Sequence, residues 1–147
     1  MAVTGKVYYP MLSYALQGDI DINTHNIRVV LSTSGYTPSQ AHTFLSSVGA
    51  NEISGTGYTA EGQTLASCAV AAAGTATTKF TATNAEWTGA TVAARYAIIY
   101  CRNTGLGANS ASWPLIGWVD FGDTMSASAG TFTIAWSTNG IVTITTD

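Results

Sequence analysis

Thr131-Phe-Thr-Ile-Ala-Trp136 places Phe132, Ile134 and Trp136 at every second position, with Thr131, Thr133 and Ala135 between them. A period of two marks a strand with one buried and one solvated face. Asn139-Gly140 follows, and then Ile141-Val-Thr-Ile-Thr145. Asn-Gly suits a type I′ turn, so the two runs are predicted to pair as a C-terminal β-hairpin. Outward from this hairpin, strand-like runs recur at 115–121, 93–102, 77–83 and 65–72. Further upstream, Ile27, Val29 and Leu31 alternate with Arg28, Val30 and Ser32. Ala93-Ala-Arg-Tyr-Ala-Ile-Ile-Tyr-Cys101 is apolar on both faces apart from Arg95, which predicts a central strand. Many short strands separated by turn residues predict an all-β fold: one antiparallel β-sandwich domain over residues 1–147, jelly-roll or immunoglobulin-like.

Helical signals are confined to the N-terminal half, where one or two short helices are expected. Pro10-Met-Leu-Ser-Tyr-Ala-Leu-Gln-Gly18 has Pro at a first helical position and closes on Gly, with Leu12, Ala15 and Leu16 on one face. Thr37-Pro-Ser-Gln40 has the form of a capping box, after which Ala41, Phe44, Leu45 and Val48 fall at helical spacing. Helices this short are not stable alone and must pack on the sheets.

Composition narrows the function. Hydrophobic residues make up 46% of the chain and charged residues 9%, against about 25% charged in ordinary soluble domains. The net charge of −3 and the lack of a basic cluster argue against a nucleic-acid partner. No apolar run approaches the ~20 residues of a membrane helix, so no membrane partner is expected. The opening Met-Ala-Val-Thr-Gly-Lys lacks the apolar stretch of a secretory signal. Cys68 and Cys101 lie in apolar strand-like runs and are expected to be buried, unlinked thiols. A polar but uncharged surface of Thr, Ser, Ala and Gly, with Tyr and Trp among them, suits a protein packed against partners.

No motif for chemistry survives inspection. Glu52-Ile-Ser-Gly-Thr-Gly-Tyr-Thr-Ala-Glu-Gly-Gln-Thr-Leu65 is glycine-rich, but its third glycine is misplaced for a dinucleotide fingerprint, and no Gly-Lys-Ser/Thr occurs. It reads as a shaped structural loop anchored by Tyr58. Asp19-Ile-Asp-Ile-Asn23 imitates the start of a calcium loop but has Thr24 where Gly is needed and Val30 where Glu is needed. Asp120-Phe-Gly122 stands without any other kinase element. His25 and His42 have no partners at metal-ligand spacing. Glu52, Glu61, Glu86, Asp120 and Asp123 are scattered acids rather than an evident glycosidic pair. The expectation is therefore no catalytic residue, no cofactor and no metal. Trp87, Trp113, Trp118 and Tyr58 are the material for a sugar-stacking platform. Trp118 and Trp136 are expected in the core; Trp113, preceding Pro114 in a loop, is expected at the surface. Tyr58 and Trp113 are the candidate interface residues. Arg95, alone in a central apolar strand, needs a carboxylate, and Glu52 is the expected partner, with Glu86 the other choice.

Asn51-Glu-Ile-Ser-Gly-Thr-Gly-Tyr-Thr-Ala60, Ala94-Arg-Tyr-Ala-Ile-Ile-Tyr100, Pro114-Leu-Ile-Gly-Trp-Val-Asp-Phe-Gly122 and Gly130-Thr-Phe-Thr-Ile-Ala-Trp136 together give the chain a family look. It resembles the small β-sandwich virion structural proteins of tailed bacteriophages, of the decoration or cement type. The resemblance implies a non-enzymatic virion component, assembled in the host cytoplasm, that binds the major capsid protein or other virion proteins. A homo-oligomer is expected, with a trimer favoured because capsid lattices present threefold positions. The alternative is a tail, neck or fibre component, including one whose aromatic loops touch host glycans. No catalytic residues come with the resemblance.

Overall fold

The structure is a computed structural model and describes residues 4–146. Its elements are β1 (Thr4–Val7), α1 (Pro10–Gln17), β2 (Asn26–Ser32), β3 (Gln63–Thr64), β4 (Ala69–Ala72), β5 (Thr77–Thr81), β6 (Ala85–Arg102), β7 (Leu115–Ile134) and β8 (Val142–Thr145), with 3-10 turns at Leu45–Ser47 and Gly49–Asn51. Two antiparallel sheets pack together: five strands in the order β1-β7-β6-β2-β3, and three in the order β4-β5-β8.

The centre of the larger sheet is buried on both faces, which explains its continuous apolar runs. Ile27, Val29 and Leu31 of β2, with Ala97, Ile99 and Cys101 of β6, point to the side covered by α1 and the small sheet. Val30, Ile98 and Tyr100 point to the other side, where Tyr36, Leu45, Val48 and Trp113 from the loops close over them. One strand thus supplies two cores by alternation alone.

The runs at 115–121 and 131–136 are not separate strands; all but the last two residues lie in one strand, the 20-residue β7, paired along most of its length with the 18-residue β6. Between them, residues 122–130 carry few large apolar side chains because that stretch lies largely in solvent, so periodicity is lost there while the backbone stays extended. Register shifts between Trp87 and Ala90, and again before Val92, absorb the irregularity of so long a ribbon.

The predicted C-terminal hairpin does not form. Ile134 lies opposite Ala85 and Phe132 opposite Trp87 on β6, whereas Val142 and Ile144 of β8 lie opposite Phe80 and Thr78 on β5. Asn139-Gly140 instead turns the chain from one sheet to the other. The Gly140 amide donates to the Ser137 carbonyl at 2.9 Å, and Ile141 N donates to Phe80 O at 2.7 Å. Asn84 Oδ1 accepts the Trp136 amide, and Thr83 O accepts the Trp136 indole N–H, which fixes this corner away from β7. Trp136 is half-buried at that corner rather than in the core, while Trp118 is buried as expected.

Helix α1 forms where predicted and ends at Gly18, which has φ of 84° and donates to the Ala15 carbonyl. Its phase differs from expectation: Met11 is buried, and Tyr14 and Ala15 pack on the core, while Leu12 and Leu16 are 49% and 80% exposed. The second helix is replaced by turns. Leu45 N donates to Trp113 O and Leu115 N to Thr43 O, so residues 43–45 bond as a short β-like flank to 113–115 instead of coiling.

Candidate functional site

The glycine-rich segment 52–65 lies against the large sheet. Ile53 N donates to Leu31 O, Thr91 N to Thr56 O and Leu65 N to Ile27 O, so it runs along β2 and touches β6. Its glycines are contact points: a side chain on Gly55 would strike the Thr91 carbonyl, and one on Gly62 the Val29 carbonyl. Gly57 and Gly62 also have φ of 77° and 65°, a region most side chains avoid. The segment holds backbone against backbone, with no space for a phosphate.

Its polar side chains are spent on the same task. Glu52 accepts hydrogen bonds from Tyr58 Oη at 2.7 Å and from Glu61 N at 2.6 Å. Tyr58 Oη in turn accepts the Leu31 amide at 3.1 Å. Burial pushes the Tyr58 phenol well above its ordinary pKa, so it stays a neutral donor. Arg28, which the sequence left unassigned, donates from Nε to Glu61 O at 3.1 Å and from Nη2 to Gly62 O at 2.8 Å. Tyr100, pushed up to about 12 by burial, donates to the same Glu61 carbonyl at 2.8 Å.

Of the two candidate interface residues, Trp113 is buried and Tyr58 is half-buried. Tyr58 is bound at its hydroxyl and stacks on Trp87 with ring centroids 6.0 Å apart. Trp113 is 2% exposed: it stacks on Tyr100, donates its indole N–H to Gly107 O at 3.0 Å, and carries the Arg102 guanidinium over its ring. The loop 103–114 folds back over the sheet rather than outward, which removes Trp113 from the surface and from any stacking platform. Arg102 also reaches Glu61 at 3.4 Å.

The Arg95 pairing with Glu52 is likewise corrected. Arg95 Nε donates to Asp120 Oδ1 at 2.7 Å, across the β6–β7 pair. Tyr96, the residue after Arg95, faces Asp120, and a register shift between Ala94 and Tyr96 turns Arg95 toward that carboxylate. The Arg95 hydrogen bond holds the Asp120 carboxyl below the usual carboxylate range, and the Gly122 amide adds to this. Both side chains are partly solvated, so the pair is a surface clasp across β6 and β7.

Chemistry elsewhere is muted. Cys101 Sγ lies 3.7 Å from His25 Nδ1, but burial, with Asp21 and Asp19 adding to it, pushes the thiol up to about 12, so it is not a thiolate nucleophile. His25 Nδ1 already accepts the Asp21 amide at 3.1 Å. In the calcium-like stretch, Asp21 Oδ1 accepts the Asn23 amide and Asp19 O accepts from Asn103, an ordinary turn. Among the described residues, no three His, Cys, Asp or Glu side chains converge as a metal site.

An apolar cleft of about 420 Å³ lies between α1, the 18–23 turn and the small sheet, walled by Met11, Ile20, Phe80, Ile116, Val142 and Ile144. No local pattern marks it, because its walls come from segments far apart in the chain. No family model matches the chain, and no curated protein or solved structure matches it.

Proposed function

We propose that this chain is a non-enzymatic structural protein of a tailed-bacteriophage virion: a capsid decoration protein that binds the major capsid protein lattice as a homo-oligomer, a trimer, and stabilises the head. The observation that carries the reading is the direction in which the side chains are spent. Glu52, Tyr58, Arg28, Tyr100 and Trp113 are consumed in bracing loops against the sheet. Tyr9, Leu12, Leu16, Val70 and Ile144 are left outside. A chain with only 9% charged residues that carries such side chains outside associates by shape and apolar contact. Repetition then raises its hold, because a second contact of a linked pair forms at high effective concentration. The resemblance of the sequence to decoration proteins is what favours a shell as the partner.

The test mixes purified protein with undecorated mature shells and, separately, with isolated tails, at low and high salt. Saturable binding to shells that persists at high salt is expected, because screening weakens mainly exposed charge pairs. Binding only to tails shifts the reading to a tail, neck or fibre component. Binding to neither removes the virion reading.

A further inference from the structure

Seven asparagines occur in the chain, and Asn139 is the one followed by glycine. The structure separates it from the rest in a second way. Asn23, Asn26, Asn84, Asn103 and Asn109 each accept a hydrogen bond at Oδ1, and Asn51 donates from Nδ2 to the Val48 carbonyl. Among the described residues, no hydrogen bond holds the Asn139 side-chain amide; its backbone N–H donates to Ser137 Oγ at 3.1 Å. Asn139 is exposed on the turn that carries the chain from the large sheet to β8. Gly140 beyond it has φ of 99° and no Cβ to crowd its nitrogen. An unheld carboxamide beside an unshielded main-chain nitrogen is the arrangement in which that nitrogen can attack the side chain.

We propose that Asn139 is a self-modification site, at which the chain deamidates spontaneously through a cyclic imide and then carries aspartate or isoaspartate. The Gly140 nitrogen gives its proton to water or hydroxide and attacks Asn139 Cγ. The N–Cγ bond forms as the Cγ–Nδ2 bond breaks, and ammonia leaves. Water then opens the ring at either carbonyl. Cleavage of the N–Cγ bond gives aspartate. Cleavage between that nitrogen and the Asn139 main-chain carbonyl carbon gives isoaspartate, with the main chain running through the side chain. Nothing is oxidised or reduced, water is the co-reactant, and the net charge becomes one unit more negative than −3. The restraint on the nucleophile is the bond from Gly140 N to the Ser137 carbonyl at 2.9 Å. One neutral hydrogen bond in an exposed turn slows the reaction by at most about tenfold. The isoaspartyl product adds a carbon to the main chain where there is no slack. A Cβ on Gly140 would stand 2.8 Å from the Phe80 carbonyl, and Ile141 N donates to that same carbonyl at 2.7 Å. The added carbon therefore loosens β8 from β5.

The test incubates the purified full-length chain at mildly alkaline pH beside a free peptide of residues 136–142. Both are mapped by mass spectrometry, with isoaspartyl methyltransferase labelling to mark the isoaspartyl product. The folded chain should convert at residue 139 no more than about tenfold slower than the peptide, with the other six asparagines unchanged over that time. The rate should rise with pH, because the nucleophile must lose a proton. Asn139→Gln should stop the conversion and leave the melting temperature unchanged. In the purified isoaspartyl form, amide exchange should quicken first at Val142–Thr145. Asn139→Asp, which keeps the ordinary main chain, should exchange like the wild type. No conversion at 139 while the peptide converts would mean that the turn protects the bond, and would overturn the site. Earlier reaction of another asparagine would overturn the selection argued from hydrogen bonding. An isoaspartyl form with unchanged exchange at β8 would overturn the coupling to the small sheet. None of these readouts depends on whether shells are bound.

Discussion

Individual residues in the 52–65 segment act by excluding space or by completing hydrogen bonds, and the two roles separate by mutation. Gly49 and Gly62 both have positive φ, but only Gly62 meets backbone where a Cβ would stand. Gly49→Ala should cost about 1–2 kcal/mol, the price of the left-handed conformation alone. Gly62→Ala should cost more by a further ~1–3 kcal/mol from forced displacement. Urea unfolding of both variants checks the difference. Tyr58→Phe strips the Leu31 amide and the Glu52 carboxylate of one partner each, for an expected loss of about 1–3 kcal/mol. Asp120 gives a pH signature. Its carboxyl titrates lower in the folded than in the unfolded chain, so its contribution is present above the ordinary Asp pKa of about 4 and disappears as pH falls through the lowered folded value. The stability gap between the wild type and Asp120→Asn should therefore narrow in acid. A gap that stays constant between neutral pH and pH ~3 would remove Arg95–Asp120 as a stabilising pair.

Among the elements, α1 tests whether the tertiary structure set the face of the helix. Leu12, Ala15 and Leu16 form a plausible apolar face by spacing, yet Met11 is the side chain the core takes. Met11→Ala should cost about 2–5 kcal/mol, whereas Leu16→Ser should stay within about 0.5 kcal/mol. Thermal unfolding of the two variants distinguishes this phase from the one read by spacing, which reverses their order. The exposed leucines mark the side of the helix left for contact with another molecule under the virion reading.

Across the whole molecule, the two sheets share one continuous core that runs from Met11 through Phe80 to Val142. Cys101 sits inside it with no exposed surface, and Cys68, also unlinked, is half-buried at the margin. Alkylation without reductant should modify Cys68 in the native protein. Cys101 should react only at the rate of global unfolding, matching the rate seen by fluorescence. Labelling of Cys101 ahead of that rate would indicate that the large sheet opens independently of the small one. A mass two hydrogens below the reduced chain would overturn the unlinked assignment.

The sequence by itself determined the β class, the central position of residues 93–102, the start and stop of α1 and the structural use of the glycine-rich loop. Each of these rests on local chemistry: alternation, apolar content on both faces, Pro and Gly at helix ends, and the lack of a lysine beside the glycines. Only the tertiary structure decided which strands pair. Asn139-Gly140 is a sound hairpin turn locally, but the pairing of Phe132 and Ile134 with Trp87 and Ala85, and of Val142 with Phe80, joins partners distant in sequence. The ion pair followed the same rule, since no spacing marks Asp120 rather than Glu52 as the neighbour of Arg95; the register of β6 against β7 does. Trp113 is buried rather than at the surface because exposure depends on whether a loop folds back, which its own residues do not encode. The cleft was invisible for the same physical reason: it is made by the relative placement of segments that no local pattern connects.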